Sequence, residues 1–151
     1  MDHSPVRERT LLAALFLVAL ATVMFEILLT RIFSLTLWYH FAFMAISVAM
    51  FGLTVGALLV FLRAAWWPDG TLPRTMGIAA AVLGVTMVSV VLLHVTLYTP
   101  LPHVDMVPLV LTFVVVSVPF VFSGIFVCLA LTRFPSRIGR LYAADLGGAA
   151  A

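Results

Sequence analysis

From Leu11 to Phe25 the chain carries no charged residue, and the apolar run continues past Glu26 to about Phe33. Three further runs of the same kind occupy about residues 41–62, 75–98 and 107–134. A helix needs about 20 apolar residues to cross a hydrocarbon core about 30 Å thick. Each run therefore predicts a transmembrane helix. Pro108 suits a helix start, and Pro119 is expected to kink the middle of the fourth span, because it removes a backbone donor. A fifth helix is expected to begin near Leu141, and the chain reads as cut inside it. The connections are short and rich in turn residues: Pro68-Asp69-Gly70 with Pro73, then Thr99-Pro100-Leu101-Pro102, then Pro135-Ser136. Neighbouring helices should therefore be antiparallel. The predicted fold is an all-α polytopic membrane bundle, with a terminal segment at 1–10, four complete spans over 11–134, and a loop plus the start of a fifth span over 135–151.

Composition agrees with that pattern. Of 151 residues, 64% are hydrophobic and 9% charged, against roughly 45–50% and about 25% in soluble domains. An ordinary water-soluble fold is excluded, and with it any expectation of nucleic-acid binding. The lone Cys128 has no disulfide partner and suits a small buried side chain. All eight basic residues are Arg. Arg7 and Arg9 precede the first span, Arg63 and Arg74 flank the second loop, and Arg133, Arg137 and Arg140 border the fourth; the first and third loops have none. Because basic residues are retained in cytoplasmic loops, this alternation predicts a cytoplasmic N-terminus in a bacterial inner membrane. Ala19-Leu20-Ala21 imitates a signal-peptidase site, but the apolar run continues far enough beyond it to span.

Small residues at helical spacing mark faces where membrane helices approach closely. Ala45, Ala49, Gly52 and Gly56 form one such stripe on the second span, Gly77, Ala81 and Gly84 a weaker one on the third, and Ala144 with Gly148 the beginning of another. Packing within the chain is the expectation, ahead of a dimerisation motif. Trp38, Tyr39, Trp66, Trp67 and Tyr98 fall at span ends, where such rings anchor at the headgroups.

Embedded polar groups are the candidate chemistry. Glu26 and Arg31 lie in the first apolar run, and a charge at the bilayer centre costs at least about 2.5–3.5 kcal/mol. Five residues apart, they differ by about 140° on a helix and are poorly placed to pair. Arg31 can snorkel outward, whereas Glu26 needs a partner on another helix or a proton. His94, His40, His103 and Asp105 fall at the same outer side, as a polar vestibule or as scattered interface residues. The histidines show no metal-ligand spacing, so no metal is expected. Asp145 is expected one turn into the fifth helix, close to Arg133, Arg137 and Arg140, in a capping or ion-pair role that suits the helix dipole.

Two segments then carry a resemblance: FEILLTRIFS at 25–34, with Glu26 and Arg31, and LYAADLGGAA at 141–150, with Tyr142, Asp145 and Gly148. Both resemble the membrane region of the spermidine synthase-like family, where several spans precede a cytoplasmic polyamine aminopropyltransferase-like domain. The first is similar to the family's Glu-x-x-x-x-Arg pattern. The second is similar to its Tyr-Ala-Ala-Asp-Leu-x-Gly-Ala-Ala segment, Gly147 replacing a larger apolar residue. The resemblance implies further spans and a transferase domain using decarboxylated S-adenosylmethionine as co-substrate. None of that machinery lies in these residues: they hold no cofactor-binding glycine loop in a strand-to-helix context and no catalytic constellation. Two other functions compete, half of a small-solute transporter built around Glu26 and Pro119, and a noncatalytic assembly protein using Gly52 and Gly56. Besides the bilayer and further helices of the same protein, no partner or oligomeric state is legible.

Overall fold

The computed structural model describes residues 5–36, 42–97 and 106–151. Among them are five α-helices: α1 (Pro5–Thr36), α2 (Ala42–Leu62), α3 (Leu72–Leu97), α4 (Met106–Arg133) and α5 (Ile138–Ala150). Short 3-10 turns at Ala64–Trp66, Asp69–Thr71 and Pro135–Arg137 link them. Four stretches are long and apolar enough to cross a membrane: Glu8–Leu35, Phe43–Leu62, Leu72–Thr96 and Leu109–Arg133. The protein is an all-α bundle of membrane helices. In lipid a helix satisfies its own backbone groups, so these apolar sequences have few alternatives.

The helix at α1 starts at Pro5, a residue suited to a first helical position. Glu8 and Arg9 therefore ride on the first turns of α1 rather than on a separate tail. Helix α4 passes through Pro119 as one continuous helix, with Pro119 fully buried.

Helix α4 is the centre of the bundle: it packs against α1, α2, α3 and α5, and it is the most buried of the four spans. The core divides into two clusters along its length. Leu15, Met76, Leu83, Leu129 and Leu141 belong to the one at the arginine-bearing end. Phe25, Leu29, Phe33, Ala49 and Phe120 belong to the other, where the Phe25 and Phe120 rings lie 5.5 Å apart.

Helix α2 is apolar all round, so small residues, not amphipathicity, select its packed face. Ala45 and Ala49 are buried, and Gly52 and Gly56 lie directly against α4. A Cβ at Gly52 would sit 2.5 Å from Phe120 Cβ and 2.7 Å from Ser117 O. One at Gly56 would strike Val121 O and sit 2.8 Å from Ile125 N. Gly124 of α4 answers from the other side, where a Cβ would strike Leu53 O. The two backbones touch, which maximises dispersion contacts where lipid removes the usual hydrophobic drive.

The α3 stripe behaves differently and corrects the expectation that it packs. Gly77, Ala81 and Gly84 are exposed, and a Cβ at either glycine would meet nothing within 4 Å. Leu72, Met76, Ala79, Leu83 and Val90 are instead the buried face. They recur at helical spacing and offer larger side chains to fill the distance to α4.

A hydroxyl pair joins α1 to α4 across the core. Thr22 Oγ1 donates to Val18 O at 2.7 Å and lies 2.7 Å from Ser123 Oγ on α4. A hydroxyl has one proton, so Ser123 is the donor to Thr22. Hydroxyls on outer faces, such as Thr54 to Met50 O and Ser89 to Val85 O, bond back to their own helix and need no partner in lipid. A double-mutant cycle with Thr22→Val and Ser123→Ala, read by unfolding in mixed micelles, is expected to show coupling of about 0.6 and at most about 1.7 kcal/mol. Additive losses would mean that the two hydroxyls do not interact.

Candidate functional site

Among the described residues, Asp145, Glu26 and His94 lie at separate levels of the bundle. Helix α5 sets the scale, because two contacts fix its direction and register against α1. Arg140 Nη1 donates to Glu8 Oε1 at 2.8 Å, and Gly148 packs on Phe16. Both pairs are 132 positions apart in sequence. The two helices are therefore parallel and in step, at about 1.5 Å per residue.

Asp145 falls at the level of residue 13 of α1 in this register. Glu26 lies thirteen residues farther along α1, about 20 Å away. His94 of α3 lies farther still, its ring 5.4 Å from that of Phe33. The structure thus does not gather Asp145, Glu26 and His94 into one site.

Glu26 is half-buried and Arg31 exposed, and no ion pair between them is present among the described residues. Their angular separation on α1 explains this. Thr30, which shares the Glu26 face, donates to Ile27 O at 2.6 Å instead. Glu26 does share a stripe with Ala19: seven residues is within about 20° of two full turns. The face of α1 that α5 covers at Phe16 and Ala19 therefore continues toward Glu26.

Asp145 corrects one expectation. Helix α5 begins at Ile138, so Asp145 is its eighth residue, two turns in, and no acidic residue stands in the first turn. The Pro135–Arg137 turn explains the early start: Arg137 N–H already donates to Phe134 O at 3.1 Å, so the chain enters α5 in helical geometry. Asp145 thus stands beyond the first turn, where the helix dipole no longer favours an acid.

The acid that meets the arginines is Glu8. Besides Arg140, it holds Arg137 Nη1 at 3.4 Å. Sequence reasoning missed it, because Glu8 looks like one charge in a short polar leader; its signal was three residues of separation from an uninterrupted apolar run. Nearby, Arg133 Nη2 donates to Trp67 O at 3.1 Å, and the Arg63 guanidinium lies 4.5 Å from the centre of the Trp66 ring. The arginine-bearing end thus ties α1 to α5 through Glu8, and α4 to the loop after α2 through Arg133.

His40, His103 and Asp105 lie outside the described residues, as do Trp38, Tyr39 and Tyr98. Among the described residues no group of three His, Cys, Asp or Glu side chains converges as a metal site. Cys128 is partly buried at the α2–α4 seam, its thiol 3.8 Å from Ala57 O. Comparison with protein-family models, with curated proteins and with solved structures gives no match.

The best-built feature is therefore the seam between α1 and α5. It is clamped at the polar end by Glu8, Arg137 and Arg140 and inside by Gly148. A Cβ at Gly148 would strike Phe16 O and sit 3.1 Å from Ala19 Cβ. Leu141 is buried at the same seam, while Tyr142 is exposed. Such a seam fixes the two helices relative to one another.

Proposed function

We propose that this chain is the membrane domain of a spermidine synthase-like integral membrane protein, anchoring or serving a cytoplasmic aminopropyltransferase-like domain. The observation that carries the reading is the α1–α5 seam. The segment 25–34 lies on α1 and the segment 141–150 on α5, so the two stretches that carry the resemblance belong to neighbouring, parallel helices. In this reading α5 is the first part of a fifth span that follows α1 toward Glu26. The arginine-bearing end faces the cytoplasm of a bacterial cell, in keeping with basic retention. Decarboxylated S-adenosylmethionine and a diamine are substrates of the attached domain, not ligands of these helices.

The assembly reading loses its main support, because Gly52 and Gly56 are occupied within the chain. Reading the gene onward from the Ala151 codon tests the proposal. Further apolar spans followed by a glycine-rich strand-to-helix domain are expected. A stop codon at that point overturns it.

A further inference from the structure

We propose that the crevice between the start of α1 and the Pro135–Arg137 turn holds the phosphate of an anionic phospholipid. The crevice has a volume of about 430 Å³ and is lined by Glu8, Ser136, Arg137, Ile138, Gly139 and Arg140. That is many times the roughly 30 Å³ share of one water molecule, with room for a phosphodiester and adjoining glycerol.

Charge and donor count fit that group. Two guanidiniums face one carboxylate, leaving one positive charge against the single negative charge of a phosphodiester. Glu8 engages only Nη1 of each arginine, and a guanidinium has five N–H donors in a fork suited to phosphate. The Arg140–Glu8 pair is open to water on the arginine's side, and exposed ion pairs contribute only about 0–1 kcal/mol. Arg140 in particular keeps its side chain 75% accessible while bonded to Glu8.

Depth and an adjoining apolar track favour a lipid over free phosphate. Glu8 stands three residues, about 4.5 Å, before the uncharged run that starts at Leu11, which places the crevice at headgroup level. Basic pockets between helices at that level suit anionic headgroups. From the crevice, Ile138, Tyr142 and Leu146 follow at intervals of four along α5, and all three are more than half exposed. An acyl chain attached to a phosphate in the crevice would lie along them.

The test uses the whole chain in nanodiscs of phosphatidylcholine containing a minor share of phosphatidylglycerol, with retained lipid counted by native mass spectrometry. Wild type is expected to retain phosphatidylglycerol preferentially. R137Q/R140Q should lose that preference on the order of thirtyfold, from two cationic contacts at about fivefold each. E8Q removes the competing carboxylate and should raise the preference. R63Q/R74Q removes the same charge from the same end, but neither residue lines the crevice, so the preference for a lipid held there should fall far less than in R137Q/R140Q. Millimolar inorganic phosphate should leave the lipid in place. The proposal is overturned by an equal loss in R63Q/R74Q, by displacement with inorganic phosphate, or by equal retention of phosphatidylcholine. A fall in E8Q parallel to that of R137Q/R140Q also overturns it, because the cluster would then serve only to clamp α5 to α1.

Discussion

Gly56→Leu is expected to part α2 from α4 and to lower the bundle's stability more than any other single change to a small residue. The side chain would enter space held by Val121 O, Ile125 N and Gly124 Cα. These are backbone atoms of a continuous helix, so no rotamer change can yield. Overpacking usually costs about 1–3 kcal/mol, and here relief requires moving α2 away from Gly124 and Leu53 as well. Gly84→Leu is the matched control. Its Cβ meets nothing within 4 Å, and leucine is the better helix former by up to about 1 kcal/mol, so this variant should be neutral or slightly more stable. Unfolding in mixed micelles, followed by the three tryptophans, reads both. Equal losses in the two variants would show that α2–α4 contact does not decide stability.

Gly148→Leu should release α5 from α1 while leaving the four spans assembled. Its Cβ would strike Phe16 O and crowd Phe16 C at 3.0 Å, and α5 depends on α1 for most of its packing. The neighbouring position is permissive: a Cβ at Gly147 would lie 3.6 Å from Phe16 Cε2, an ordinary contact, so Gly147→Ala should change little. A cysteine at Leu141, which is 1% exposed, reports the release when Cys128 is replaced by alanine. Maleimide labelling of that cysteine should rise on the order of tenfold with Gly148→Leu and hold steady with Gly147→Ala. No rise would mean that Glu8, Arg137 and Arg140 suffice to keep α5 docked.

The spans were legible because uncharged runs of bilayer length leave the backbone no choice but helix. Boundaries moved by one to three residues at α2, α3 and α4, while α1 began six residues early at Pro5 and α5 began early because the Pro135–Arg137 turn is itself helical. Faces were harder to read. Gly52–Gly56 and Gly77–Gly84 look alike along one helix, yet only the first meets a partner, because Gly124 supplies a matching notch on α4 and α3 has none opposite. One helix's periodicity cannot encode the shape of the next. Glu8 and the Thr22–Ser123 bond were missed for a related reason: each joins positions more than a hundred residues apart. The separation of Glu26 from Arg31, by contrast, follows from helical angle alone.

The central position of α4 also has a consequence in time. As the chain emerges, α1, α2 and α3 enter the bilayer before the helix they pack around. Until α4 arrives, the notch at Gly52 and Gly56 faces lipid, Thr22 lacks Ser123, and α3 lacks the surface that buries Leu83 and Met76. The first three spans can find their depth and direction alone, but the fourth supplies the surface that α2 and α3 pack against. Synthesis that stalled before Met106 would leave α1 and α2 with only their direct contact and α3 without the helix it packs on.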